Sequence, residues 1–339
     1  MSSRIGINGF GRIGRQVLRA IKQYHKNDLE VVAINTPADC EVCARLLKYD
    51  SDYGQYPGTV EAADGALIVD GKRIQHTSIR DPKDIPWDTT DVDIVIESAG
   101  PFRDRNKAVG HMNHGAKKVI ITAPVRTKNE DITIVFGVNE DQYNPKNHHI
   151  ISNASCTTNC VAPFAKVLQD TFGIAKGFIS TIHAYTTDQR LLDNSHKDAR
   201  RGRSAGLNII PTSTGAGPAT ALVIPELKGK ISGISYRVPT STVSLTDFSA
   251  EMDRNVTVEE VNQALKNAAE GPLKGILEFC DEPLVSSDFK GNPASSIIDG
   301  LSTMIADGNL LKVLAWYDNE WGYSARTADL AAYVGKDLA

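Results

Sequence analysis

Through the first 150 residues the apolar positions fall into short β-branched runs, separated by stretches in which they recur every three to four residues. Arg4 to Asn8, Val31 to Asn35, Ile94 to Glu97, Val119 to Thr122 and Thr133 to Gly137 read as strands, and Arg12 to Lys26 and Glu41 to Lys48 as helices. Such alternation predicts a mostly parallel sheet covered by helices. Thr59 to Gln75 reads as a hairpin, with Asp70-Gly71 as its turn. Beyond residue 150 strand-like runs dominate: Gly177 to Ala184, Ile231 to Val238, Val243 to Met252, Leu284 to Phe289, Ser295 to Asp299 and Leu310 to Tyr317. One clear helix interrupts them, with Thr257 as N-cap, Glu260 completing a capping box and Gly271 past its end. This half predicts an α+β domain with a largely antiparallel sheet, closed by a last helix over Gly322 to Val334.

The chain has 339 residues, which at roughly 100 to 200 residues per domain predicts two domains. Apolar residues at 41% and charged residues at 23% exclude a disordered or fibrous chain. With 37 Lys plus Arg against 41 Asp plus Glu, the formal charge of -4 gives no electrostatic footprint for nucleic acid or anionic lipid. No apolar run approaches the ~20 residues of a membrane helix, and the N-terminus passes from Met into a strand without the apolar stretch of a signal peptide. The expectation is a cytoplasmic protein with no membrane and no primary nucleic-acid role.

The candidate chemistry begins at Gly9, Gly11 and Gly14, a GxGxxG pattern directly after the first strand and opening the next helix. Gly9 permits the tight turn, Gly11 lets backbone approach a pyrophosphate, Gly14 allows close packing, and the helix N-terminus offers N–H groups to the anion. The strand, turn and helix together point to a Rossmann-type domain that binds a dinucleotide. At the end of the second strand, where an acidic residue ordinarily meets the ribose hydroxyls, the sequence reads Ala33-Ile34-Asn35-Thr36-Pro37. With no carboxylate to repel a 2′-phosphate, and a Thr36 hydroxyl to bond one, NADP stands beside NAD as a candidate. Asp39 is a possible substitute or a solvated loop carboxylate.

Of five cysteines, Cys156 follows the strand Ile150 to Ser152 and precedes a helical pattern reaching about Phe172. A helix N-terminus favours thiolate over thiol, as covalent catalysis requires. Cys160, one turn on, faces inward, and Cys160, Cys280, Cys40 and Cys43 read as packing. The C-x-x-C spacing of Cys40 and Cys43 lacks the second pair of a zinc site. His183, in a strand-end segment, is either a core histidine or a base for the cysteine. The basic run His196 to Arg203, followed by Pro211 to Gly215 and Arg237, reads as a solvated loop or as an anion site.

The segments INGFGRIGR (Ile7 to Arg15), SNASCTTNC (Ser152 to Cys160), HAYTTDQ (His183 to Gln189), PTSTGA (Pro211 to Ala216), RVPT (Arg237 to Thr240) and WYDNEWGYS (Trp316 to Ser324) closely resemble the phosphorylating glyceraldehyde-3-phosphate dehydrogenases. The resemblance runs from the first strand to the last helix. It implies that Cys156 adds to the aldehyde of glyceraldehyde 3-phosphate, forming a hemithioacetal and then a thioester, with His183 moving protons. It further implies that Ser155, Thr157, Thr214 and Gly215 hold inorganic phosphate, that Thr186 and Arg237 hold the substrate's phosphate, and that Arg203 lies close to both. For the cofactor it implies Phe10, Arg12 and Ile13 at the pyrophosphate turn, Asn35, Thr36, Arg80 and Thr122 further along, and Asn319 with Tyr323 at the nicotinamide. The expected division is 1–155 for the dinucleotide-binding domain, with helix 320–339 packing back on it, and 156–319 for the catalytic domain. A homotetramer is implied in the same way.

Two positions depart from NAD-specific members: Thr36 replaces an aspartate and Asn194-Ser195 replaces Leu-Pro. Threonine and serine there resemble the NADP-using photosynthetic enzymes, whose serine-bearing loop reaches the neighbouring subunit's adenosine site, so Thr36 and Ser195 together imply dual specificity. No acidic, cysteine-bearing extension follows Ala339, so tail-based redox control is not expected. Gly217-Pro218 replaces the usual Ala-Lys. The rival readings are erythrose-4-phosphate dehydrogenase, an aspartate-semialdehyde type of dehydrogenase, and a binding module built on the dinucleotide fold. The intact HAYTTDQ and PTSTGA stretches favour the glyceraldehyde substrate.

Overall fold

The computed structural model describes residues 2–125 and 129–338. Ala339, the end of the expected helix 320–339, lies outside them. They form two compact units, the first within Met1–Ile134, Asp141–Ala154 and Ser324–Ala339, the second within Val135–Glu140 and Ser155–Tyr323.

The first unit is built on a nine-stranded sheet in the order Ile132–Thr133, Ile150–Ser152, Lys118–Ile121, Ile94–Glu97, Ser3–Asn8, Leu29–Asn35, Lys72–Thr77, Ala66–Val69 and Val60–Ala63. Neighbours are parallel as far as Lys72–Thr77, and the last two strands are antiparallel. Ile5, Ile7, Ile34, Ile94 and Ile96 enter one core layer while Val32, Ala33, Val95 and Val119 enter another. Burial on both faces explains why these strands read as continuous apolar runs without alternation. Asn8 sits in register with Asn35 on one side and Glu97 on the other, so three strand ends meet at the central crevice where open α/β sheets bind ligands. Ala328, Leu330, Ala331 and Val334, from the helix Trp321–Gly335, belong to this unit's core.

The second unit carries a seven-stranded sheet in the order Ile210–Ser213, Ile231–Val238, Ile174–Ala184, Ser244–Met252, Leu310–Tyr317, Ser296–Ala306 and Leu277–Cys280. Antiparallel pairing predominates, with two parallel pairs, Ile174–Ala184 with Ile231–Val238 and Leu277–Cys280 with Ser296–Ala306. The strand Ser244–Met252 alternates strictly between buried and half-buried positions, so one face is core and the other is not. Helix Cys156–Phe172 lies on the core face, with Phe164 edge-on to Phe248 at 5.6 Å and Cys160 completely buried against Ser296 and the Ala315 carbonyl. The helix Val258–Glu270 has both halves of its capping box, Thr257 and Glu260.

The structure departs from the sequence reading at four places. Of the strand expected at Thr133 to Gly137 only Thr133 is in a strand, Ile132–Thr133, because Asn139 takes the Val135 N–H and Glu140 takes those of Gly137 and Val138. Leu284 to Phe289 contains the short helical turn Ser286–Phe289 instead of a strand, with Asp288 accepting the Val285 N–H. The expected hairpin is a three-stranded meander whose second turn is Asp70-Gly71, both at positive φ (52° and 76°), as a type I′ turn demands. The helix Ala216–Val223 is absent from the sequence reading because Gly217-Pro218 looks like a breaker. Pro218 stands in the first turn, where its missing N–H would have no helical partner anyway. A Cβ on Gly217 would come 2.9 Å from the Ile231 carbonyl, so glycine there lets this helix lie against the neighbouring strand.

Candidate active site

The glycine turn has the geometry its pattern predicts. Gly9 has φ +89°, and a Cβ there would stand 2.6 Å from the Ala99 nitrogen; one on Gly14 would stand 2.3 Å from the Gly9 carbonyl. Gly11 is the N-cap of helix Arg12–Tyr24, has open space around it and contributes no side-chain cap. The N-terminal end of this helix is positive and no acidic residue in its first turn repels an anion. A dinucleotide pyrophosphate fits this cradle.

The neighbouring side chains are mostly engaged within the protein. Phe10 is in the core and its carbonyl accepts from Arg15. Arg12 pairs with Asp50 at 2.5 Å and Asp52 at 3.7 Å, and Ile13 packs against the core. The Asn35 amide donates to Asn8 Oδ1 and to the Ile79 carbonyl and accepts from Thr77 and the Ile79 N–H, so it braces the crevice rather than facing into it. Thr36 is buried, with its N–H on the Thr77 carbonyl. Thr122 donates both N–H and hydroxyl to the Glu97 carbonyl, and Arg80 is exposed. Asp39 caps helix Cys40–Lys48 through the Val42 N–H, which accounts for it without a ligand.

In the second unit Cys156 is the first residue of its helix. Ser155 caps that helix by accepting the Thr158 N–H, so its hydroxyl is partly committed to structure. His183, near the end of strand Ile174–Ala184, brings Nε2 to 3.4 Å from Cys156 Sγ. Its Nδ1 lies 2.7 Å from the Ala184 carbonyl and 2.6 Å from Arg237 Nη1, which also reaches that carbonyl at 3.0 Å. A base needs the tautomer whose Nε2 lone pair faces the thiol, which puts Nδ1–H on the Ala184 carbonyl and requires Arg237 Nη1 to donate to that carbonyl rather than to Nδ1.

Burial works against the thiolate that the helix N-terminus favours. Burial pushes the Cys156 thiol up, opposed by the Arg237 guanidinium and by hydrogen bonds from Thr157. Burial, then the Arg237 charge, pushes His183 down to about 3. An imidazolium would set two cations 2.6 Å apart, so the resting pair is a thiol with a neutral imidazole.

Arg237 is half-buried, and its Nε has no partner among the described residues. A dehydrated guanidinium with a donor left over suits an anion. Arg203 does not join it: its side chain is 63% exposed and spends its guanidinium on Asp193 at 2.9 Å. Arg201 occupies the inner position instead, tied to Asp188 at 2.6 Å and to the Thr212 hydroxyl at 2.9 Å, with its charge felt at both His183 and Arg237. The run Arg200-Arg201-Gly202-Arg203 offered three guanidiniums, and only the folded loop selects among them.

Thr214 accepts the Ala216 N–H, and Gly215 is the N-cap of helix Ala216–Val223 with open space where a Cβ would be. Thr186 is half-buried, its N–H on Gln189. Asn319 is buried and accepts from the Ser244 hydroxyl, which itself accepts the Ala184 N–H; Tyr323 is buried in helix Trp321–Gly335. Ser195 lies on an exposed loop, with its carbonyl on Arg190. Sequence reasoning missed Tyr317. Its buried hydroxyl joins those of Thr157 (3.0 Å) and Thr181 (2.8 Å), and its ring meets His183 edge-on at 6.0 Å. A tyrosine ending a core-facing strand looks like packing, and only its place in WYDNEWGYS marked it.

A glycine-turn dinucleotide unit in one chain with a cysteine, its histidine and a half-buried arginine defines a class: an oxidoreductase that pairs a nicotinamide cofactor with a reactive thiol. Residues 3–105 match the family model described as "Glyceraldehyde 3-phosphate dehydrogenase, NAD binding domain", and residues 155–319 match "Glyceraldehyde 3-phosphate dehydrogenase, C-terminal domain". The chain is 58% identical over 334 residues to a glyceraldehyde-3-phosphate dehydrogenase of Geobacillus stearothermophilus, covering 98% of each. It is 56% identical over 336 residues to glyceraldehyde-3-phosphate dehydrogenase 1 of Bacillus subtilis, covering 99% of each, and 54% identical over 334 residues to glyceraldehyde-3-phosphate dehydrogenase 2 of Trichormus variabilis, covering 98% of each. This chain belongs to the glyceraldehyde-3-phosphate dehydrogenase family.

Proposed function

We propose that this protein catalyses the reversible, phosphorylating oxidation of D-glyceraldehyde 3-phosphate to 1,3-bisphosphoglycerate. The observation that carries the reading is the contact of Cys156 Sγ with His183 Nε2 at 3.4 Å, beside the half-buried guanidinium of Arg237. Cys156 adds to the aldehyde carbon as its proton passes to His183, which delivers it to the former carbonyl oxygen and so makes the hemithioacetal hydroxyl. A bound nicotinamide dinucleotide would supply the hydride acceptor. His183 then removes the hydroxyl proton as the thioester forms, and inorganic phosphate attacks the acyl carbon, breaking the C–S bond and releasing the acyl phosphate. Phosphate is held by Thr157, Thr214 and Gly215 with Ser155, and the substrate's own phosphate by Arg237, Thr186 and, in place of Arg203, Arg201.

The cofactor is NAD, with NADP accepted through Thr36 and Ser195. No observation favours erythrose 4-phosphate, and the three relatives bear the name of the glyceraldehyde enzyme. The protein acts in glycolysis, in the cytoplasm, as a homotetramer. Leu191 at 81% exposure and Leu207 at 83%, on one loop segment, supply apolar surface that a subunit interface would cover. No helix among the described residues is long and apolar enough to cross a membrane. The test is initial-rate measurement with glyceraldehyde 3-phosphate, with and without inorganic phosphate, and with NAD and NADP in parallel. Phosphate-dependent reduction of NAD is expected, and its absence overturns the reading.

A further inference from the structure

One buried polar chain in the first unit takes no part in the chemistry above. Trp87 Nε1 donates to His111 Nδ1 at 3.0 Å, His111 Nε2 reaches Glu97 Oε2 at 2.8 Å, and Asn8 Nδ2 donates to the same oxygen at 2.6 Å. Asn8 Oδ1 in turn accepts from Asn35 Nδ2 at 2.8 Å. His111 and Glu97 are both shielded from solvent. An indole N–H can only donate, so His111 Nδ1 is an acceptor and Nε2 carries the proton given to Glu97. The tautomer is thereby set by the tryptophan.

The far end of this chain grips the cofactor crevice from two sides. Glu97 Oε1 accepts the Ala99 N–H at 2.6 Å, and the Ala99 nitrogen is the atom that a Cβ on Gly9 would meet. Asn8 immediately precedes Gly9, and the Gly9 N–H is held by the Asn35 carbonyl. One carboxylate therefore ties the strand end entering the glycine turn to the strand end packed against it. A fully buried carboxyl group is costly unless donors surround it, and a donor lost here leaves one of its oxygens short of a partner. Sequence separation of His111 from the GxGxxG pattern hides the link.

We propose that His111, oriented by Trp87, is a positioning residue for dinucleotide binding, acting through Glu97 on the spacing of the Gly9 turn and the Ser98-Ala99 backbone. The inference rests on the reading that this turn holds the dinucleotide. His111→Leu keeps bulk and removes both hydrogen bonds, whereas His111→Gln keeps a donor for Glu97. Titration of the full chain with NAD should show about tenfold or weaker binding for His111→Leu, and binding within about threefold of wild type for His111→Gln. At saturating NAD the kcat of both variants should stay close to wild type, and alkylation of Cys156 without dinucleotide should proceed at the wild-type rate. A packing role alone would weaken both variants equally, and that result, or wild-type affinity in His111→Leu, overturns the proposal. If His111→Leu does not fold, Glu97→Gln decides. It turns one acceptor into a donor facing donors and should weaken NAD binding by at least fivefold, with unchanged affinity overturning the proposal. Failure of the wild-type protein to bind NAD would instead remove the glycine-turn reading, and this proposal with it.

Discussion

Arg237 Nη1 lies 2.6 Å from His183 Nδ1, and both groups reach the carbonyl of Ala184. The cation lowers the proton affinity of the imidazole and of the Cys156 thiol together, so the base stays neutral while the nucleophile becomes easier to ionise. Removing it should raise both. In Arg237→Leu, iodoacetamide alkylation of Cys156 is expected to shift to higher pH and to slow at pH 7.5. A shift to lower pH would show that the guanidinium does not stabilise the thiolate.

With His183 pushed down to about 3, its base form is present throughout the neutral range. The pH profile of kcat/KM in the wild type should therefore lack an inflection from this residue near 6.5. His183→Asn should lower kcat by about 10²–10⁴-fold, the range for loss of a positioned acid–base group. Thermal unfolding should be little changed, separating chemistry from stability.

Thr36→Asp places a carboxylate at the end of the second strand, where it bonds ribose hydroxyls and repels a 2′-phosphate. The ratio of kcat/KM for NADP to that for NAD should fall by about tenfold or more, roughly 1.4 kcal/mol. An unchanged ratio would remove Thr36 from cofactor selection.

Gly14→Ala would drive a methyl group to 2.3 Å from the Gly9 carbonyl. Such overpacking costs about 1–3 kcal/mol and displaces the turn itself. Lower stability in denaturant titration should come with weaker NAD binding, and a variant that binds NAD normally would contradict the close-packing role of this glycine.

His25 reports stability rather than catalysis. Its Nε2 lies 2.5 Å from Asp329 Oδ1, and that hydrogen bond, with the nearby Asp28, raises its pKa above the ordinary histidine value. A raised folded-state pKa contributes stability that is fully present below about 6.5 and is lost as pH rises through the folded value. His25→Gln should cost about 1 kcal/mol at pH 6 and less at pH 9. An equal loss at both pH values would mean that the charge contributes nothing.

Much of the fold was legible because local signals agreed with the tertiary structure. The glycine turn, the strand before it and the helix after it are one contiguous segment, and the capping box at Thr257 and Glu260 is complete within four residues. Misreadings fell where side chains bonded backbone groups that a strand would need, as at Asn139, Glu140 and Asp288. A further one fell where Gly217-Pro218 opened a helix that needed no N–H at the proline.

The sequence by itself determined the chemistry available: a cysteine at a helix start, a histidine at a strand end, a glycine turn on a parallel sheet and long motifs that resemble one family. Only the tertiary structure decided how those groups act on one another. It set the ionisation of Cys156 and His183, because desolvation and the Arg237 charge depend on burial and on a 2.6 Å contact between residues 54 positions apart. It turned Arg201 inward onto Asp188 and left Arg203 exposed on Asp193, because three guanidiniums in one loop cannot be told apart until the loop turns. It joined His111 to the glycine turn through Glu97, because strands that are neighbours in the sheet are distant in the chain.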